Sequence, residues 1–233
     1  MNEIYLFGES ASQGIILDEQ GQYRVSRAGC IRLLKRKGYP IRNYAVHGYT
    51  VLQGLESFHS MPIEPGSFCV IQFGGNDCDL DWDAVSKDPD SYHEGRISLP
   101  DFRENITRFV REARKRKLEP VLITPLALMS NRYYHWVSRD RNAESILHYL
   151  RDDPESISRW QERYANVLRE VSVSEGCLLE DVRNWMLNRL EYPSLICNDG
   201  IHPNEAGHAV LADVIDEHCR KYLTTPSEAS PLQ

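Results

Sequence analysis

A chain of 233 residues with 41% hydrophobic and 26% charged residues has the make-up of a globular protein with a substantial core, and disordered or fibrous classes are disfavoured. Its formal net charge of −7 argues against nucleic acid as a partner, because affinity for a phosphate backbone comes from clustered Lys and Arg. No apolar run approaches the length of a membrane span and the N-terminus lacks a signal-peptide pattern, so a cytoplasmic protein is expected.

Ile4 to Phe7 is strand-forming and runs into Gly8-Glu9-Ser10, which places the Ser10 hydroxyl at the carboxyl end of a strand, where open α/β sheets bind ligands. Ser10 is a candidate nucleophile, although Gly-x-Ser after a strand is also what a plain turn looks like. A polar segment with Gly14 and Gly21 reads as a loop or short hairpin. A helix follows with Ser26 as its cap, Ala28, Ile31 and Leu34 on one face, and Gly38 past its end. Ile41 to Val46 is a second strand leading into His47-Gly48, and Val51 to Phe58 a short helix.

Phe68 to Phe73 is almost continuously apolar, as in a central parallel strand, and ends in Gly74-Gly75-Asn76-Asp77. The acidic, aromatic stretch from Asp79 to Gly95 reads as a surface excursion. Ser98-Leu99-Pro100-Asp101 resembles a capping box, and Phe102, Ile106, Phe109, Val110 and Ala113 then recur at helical spacing. The basic run Arg111 to Lys117 reads as the solvated end of that helix. Pro120 to Thr124 is a fourth strand. The stretch Asn131 to Leu150, with Tyr133, Tyr134, His135 and Trp136, suits either a lid or substrate wall, or a connection packed on the surface.

Asp153-Pro154 opens a helix with the stripe Ile157, Trp160, Tyr164, Val167, Leu168 and Val171, closed by Gly176. Cys177 to Val182 is a fifth strand, and Arg183 to Leu190 a short helix. Asn198 to Asn204 is a polar loop before a helix from Glu205 to about Leu223. One domain over 1–223 and a disordered tail over 224–233 are expected. Six scattered cysteines without a Cys-x-x-Cys pair read as reduced core thiols rather than structural zinc.

Strand then helix recurs about five times, which argues for an α/β fold with a mostly parallel, five-stranded sheet covered on both faces. Ser10, Gly48 and Asn76 stand just past strand ends, on the shared rim of such a sheet, and a fourth polar loop brings Asp199 and His202. A hydroxyl, an imidazole, a carboxylate and neutral donors are what acyl transfer requires.

With these blocks the chain resembles the SGNH hydrolase superfamily, the GDSL-type esterases and lipases, from Tyr5 to about Leu223. The blocks are Gly8-Glu9-Ser10, Asn43 to Gly48, Gly74-Gly75-Asn76-Asp77, and Asp199-Gly200-Ile201-His202-Pro203. The resemblance implies a three-layer αβα, flavodoxin-like fold and a serine esterase working through an acyl-enzyme. Ser10 would be the nucleophile, His202 the general base and then acid, and Asp199 the residue that orients it. The N–H groups of Ser10 and Gly48 and the Asn76 amide would form the oxyanion hole. The implied substrate is a small-molecule carboxylic ester, with short acyl groups such as acetyl on a sugar; lysophospholipase or thioesterase activity is the alternative. No cofactor or metal is implied. The family usually has Asp where this chain has Glu9.

Two other readings compete. A flavodoxin-type binding module would cradle a phosphate or flavin at the Ser-rich turn Glu9 to Gly14, but leaves Asn76, Asp199 and His202 without work. The alternating Asp77, Asp79, Asp81 and Asp83 suggest a calcium loop, yet Trp82 stands where the turn needs glycine, so solvated loop acids are expected. His202 and His208 are six residues apart, a spacing that does not share a helical face, and His208 is expected to be structural or exposed.

Overall fold

The computed structural model describes residues 3–224, with side chains to residue 220. In chain order the elements are β1 (Ile4–Gly8), α1 (Ser10–Gln13), β2 (Ile15–Leu17), β3 (Tyr23–Val25), α2 (Cys30–Arg36), β4 (Ile41–Asn43), α3 (Val51–Ser60) and β5 (Phe68–Gln72). They continue with α4 (Gly75–Cys78), α5 (Trp82–Lys87), α6 (Leu99–Lys115), β6 (Glu119–Ile123), α7 (Ser130–Ser138), α8 (Ala143–Tyr149) and α9 (Ser156–Glu175). β7 (Leu178–Glu180), α10 (Val182–Leu187), a 3₁₀ turn at Tyr192–Leu195 and α11 (Glu205–Thr224) complete the described chain.

Five strands form one parallel sheet in the order β4-β1-β5-β6-β7, and β2 and β3 form a separate hairpin. Side chains alternate along β1. Tyr5 and Phe7 join Cys69 and Ile71 in a core with α3, α6 and α9, while Ile4 and Leu6 face a second core with α2 and α11. Helices on both faces make three layers, as the strand and helix recurrence requires. Counting only the parallel strands, their order is 2-1-3-4-5, so the connections change direction between β1 and β5. Ligands bind beyond the strand ends at such a switch point. Gly8 is in register with Gln72, which sets the residues after β1 beside those after β5.

The amphipathic stripes fall where the spacing puts them: Phe102, Ile106, Phe109, Val110 and Ala113 of α6 are all fully buried, and most of the α9 stripe is too. Several boundaries differ. Ser26 does not cap α2, which starts after Gly29; its hydroxyl instead accepts from Ala28 N–H and donates to Glu205. β4 stops at Asn43 because the Asn43 side chain turns back, accepting from Ala45 N–H and donating to Ser12 O. The stretch from Asp79 to Gly95 is not merely superficial: α5 buries Trp82 and Val85 in a third core with Tyr133, Val137 and Ile146. β7 and α10 are shorter than expected. Thr224 ends α11, and the tail expected beyond it lies outside the described residues.

Candidate active site

The loop before α11 builds a carboxylate and imidazole pair from four consecutive residues. Asp199 Oδ1 accepts the N–H groups of Ile201 (3.0 Å) and His202 (3.1 Å), and Oδ2 meets His202 Nδ1 at 2.6 Å. Both side chains are buried. Burial opposes ionisation of Asp199, but the His202 ring and the two N–H groups outweigh it and hold the carboxyl below its ordinary value. An ionised Asp199 can only accept, so Nδ1 carries the proton and Nε2 is left as the basic nitrogen. Gly200 makes the loop fit: its φ is +82°, and a Cβ there would lie 2.6 Å from Tyr133 N and 2.7 Å from Met129 O.

Ser10 opens α1 directly after β1 and lines, with His202, one cavity of about 630 Å³. No hydrogen bond joins the Ser10 hydroxyl to the ring; the two share the cavity wall. Asn76 lines it as well. Gly48, at φ +82°, sits in the turn after β4, and its neighbour His47 rather than Gly48 itself lines the cavity. Thus Asp199 and His202 are bonded to each other, Ser10 and Asn76 face the same space, and Gly48 stands one residue behind the wall.

Glu9 ties the first and third glycine blocks together. Its Oε1 accepts from Gln72 Nε2 (3.1 Å) and Gly75 N–H (3.1 Å), and its Oε2 from the backbone N–H (2.9 Å) and side-chain amide (2.7 Å) of Asn76. Glu9 is buried, which pushes its carboxyl above the ordinary value against the pull of these donors. A Cβ at Gly75 would fall 2.6 Å from Glu9 Oε1, so a larger residue there would push the Glu9 carboxylate off these donors. Asp77 completes the support by accepting from Gly74 N–H (3.0 Å) and Val51 N–H (2.9 Å). Burial and the neighbouring Glu9 raise Asp77 to about 7.

The other acids of the calcium-like pattern are engaged elsewhere. Asp79 Oδ1 accepts from Tyr133 O–H (2.6 Å) and Trp82 Nε1–H (2.9 Å), Asp81 caps α5, and Asp83 pairs with Arg141. His208 is structural: Nδ1 accepts from Cys30 N–H (3.3 Å) and Nε2 donates to Ile15 O (3.2 Å). Asp181, just past the edge strand β7, holds Thr124 and Arg169.

Sequence reasoning missed three participants. Tyr23, from the β2–β3 hairpin, sets its ring edge-on to His202 at 4.9 Å, and His47 does the same at 5.7 Å. Gln72 is the polar end of an otherwise apolar strand, a legible signal; its Oε1 accepts from Ser12 O–H (2.8 Å). The aromatic segment 131–150 folds as α7 and α8 and forms the outer wall, where Trp136, Arg139, Arg141 and Tyr149 line the cavity.

Residues 6–210 match the sequence model of the GDSL-like Lipase/Acylhydrolase family. Among solved structures, the chain is similar to a lipase/acylhydrolase from Enterococcus faecalis, with TM-score 0.67 and 24% identity over 95% of this chain and 97% of that one. It is also similar to the esterase EstA from Pseudoalteromonas sp., in a structure inhibited by monoethylphosphonate (TM-score 0.61, 16% identity, 97% and 100% covered). A third is a variant of the acetyl xylan esterase Axe2 from Geobacillus stearothermophilus (TM-score 0.61, 18% identity, 93% of each chain). At these identities the likeness is one of fold. No curated protein sequence matches the chain. Among the described residues no helix is long and apolar enough to cross a membrane.

Proposed function

Since the chain belongs to the GDSL-like lipase/acylhydrolase family and is a hydrolase acting on esters, we propose that it works as a serine esterase through an acyl-enzyme, with Ser10, His202 and Asp199 as its reacting residues. The observation that carries this reading is the buried Asp199–His202 hydrogen bond at the wall of the cavity that Ser10 also lines.

His202 Nε2 takes the Ser10 hydroxyl proton as Oγ bonds to the ester carbonyl carbon, and the Nδ1 proton stays on His202, donated to the ionised Asp199. The Asn76 amide and the N–H groups of Ser10 and Gly48 stabilise the oxyanion. Collapse breaks the bond to the alcohol oxygen, which leaves with the proton from Nε2. Water then attacks the acyl-enzyme with His202 again as base, and the acid and Ser10 are released.

An acetyl or similarly short acyl group on a sugar is the favoured substrate. The aromatic wall of Tyr133, Trp136 and Tyr149 suits a ring in the alcohol part, and an acetyl xylan esterase shares the fold. Rates on 4-nitrophenyl acetate, butyrate and octanoate, on acetylated sugars and on a lysophospholipid test this choice. Acetates should be turned over fastest; a preference for octanoate or lysophospholipid would replace the short-acyl reading with the lipase-like one.

A further inference from the structure

The outer wall of the cavity carries charge that ester hydrolysis alone does not use. Arg139, Arg141 and Arg151 all line it. Arg139 lies over the Trp136 ring at 3.7 Å and pairs with Asp140 at 3.1 Å, and Arg141 makes two bonds to the Asp83 carboxylate at 3.0 and 3.1 Å. Among the described residues Arg151 forms no ion pair.

The two acids of the cavity wall do not serve Arg151 either. Glu9 is saturated by four donors around Asn76, and Asp79 is held by Tyr133 and Trp82. Arg151 follows α8 at φ +57°, and Asp152 continues at φ +58°. Glycine is the usual occupant of a left-handed position after a helix. Here a long, exposed cation occupies it at the cavity wall. With the chain at −7 overall, this is a local cation rather than part of a general positive field.

We propose that the ester hydrolysed at this site carries an anionic group, a carboxylate or a phosphate, that pairs with the Arg151 guanidinium. The identification of the molecule as an ester rests on the esterase reading above; the anion contact does not. Arginine presents a planar fork of N–H donors that matches either oxyanion, and such charge-assisted bonds are among the stronger polar contacts. The wild-type chain would therefore select among esters of similar size by the charge of the part it releases.

Calorimetry on the intact protein separates the two claims. The probes are 3-(4-hydroxyphenyl)propionate, 4-hydroxybenzoate and 4-hydroxyphenyl phosphate, each against a neutral control, the matching carboxamides for the first two and 4-methoxyphenol for the third. At least one anion should bind wild type about tenfold tighter than its control, the gain of one charge-assisted contact. Arg151→Gln should reduce that ratio to within about twofold, while Arg189→Gln, a remote arginine on Trp185, should preserve it. Which anion gains most identifies the carboxylate or the phosphate source. Equal or unmeasurable binding of anions and controls in wild type, or an unchanged ratio in Arg151→Gln, overturns the proposal. Hydrolysis of the corresponding acetates is followed separately, so a failure of the esterase reading shows as selective anion binding without turnover.

Discussion

Glu9 Oε2 receives two hydrogen bonds from a single residue, the backbone N–H of Asn76 at 2.9 Å and its side-chain amide at 2.7 Å. One carboxylate oxygen therefore fixes both where Asn76 stands and how its amide is turned. The Arg96 guanidinium, 3.5 Å from Asn76 Oδ1, favours the same orientation. The second amide hydrogen is left for the cavity.

Replacing Glu9 should consequently act through Asn76. Glu9→Gln puts an amide NH₂ among donors, and we expect turnover to fall roughly tenfold to a hundredfold with the Michaelis constant nearly unchanged. Glu9→Asp keeps the charge but is one methylene shorter, and should give an intermediate loss. Steady-state kinetics on 4-nitrophenyl acetate decide this; wild-type turnover in Glu9→Gln would mean that Asn76 is oriented without it.

Asn76→Ala removes the amide and should lower turnover about a hundredfold to a thousandfold at similar Michaelis constant. Asn76→Asp is nearly isosteric, yet in this structure it is a different experiment. It sets a second carboxylate against Glu9 Oε2, so it should also lower the melting temperature. If Asn76→Ala retains full turnover, the amide is not an oxyanion donor.

Asp199→Asn should lower turnover by roughly a thousandfold or more, because an amide in its place no longer enforces the Nδ1–H tautomer of His202. Asp181→Asn should alter activity little, since Asp181 is bound to Thr124 and Arg169. A reversed ranking of these two variants would move the orienting role from Asp199 to Asp181.

Asp77 gives the stability a pH dependence of known sign. Its folded-state value of about 7 lies above the ordinary 3.8, so the folded chain holds this proton more tightly than the unfolded one. The contribution is fully present below the ordinary value and is lost as pH rises through about 7. Asp77→Asn cannot ionise and loses the Gly74 contact, so its melting temperature should be lower at acid pH but flatter between about pH 5 and 8. Parallel slopes for the two proteins in that window would place the Asp77 proton elsewhere.

The sheet and the site blocks were legible because each was local: an apolar run ending in glycine, a helical stripe, a histidine three residues after an aspartate. What the sequence did not show was contact across blocks. That Glu9 serves Asn76 depends on the Gly8 to Gln72 register, and that Tyr23 reaches His202 depends on where the β2–β3 hairpin packs. The share of 131–150 in a core is hard to read from sequence because its buried residues, Tyr133, Val137 and Ile146, are spread over two short helices with a turn between them. Ser26 has the side chain of a helix cap, yet Glu205 from the far end of the chain engages it.

The central claim is that Ser10 is the nucleophile, and covalent labelling tests it most directly. A fluorophosphonate should add once per chain, peptide mapping should place the adduct on Ser10, and Ser10→Ala should lose both the label and, on the order of a millionfold, the turnover of 4-nitrophenyl acetate. An adduct on another serine, such as Ser12 two residues along, or esterase activity surviving in Ser10→Ala, would contradict it.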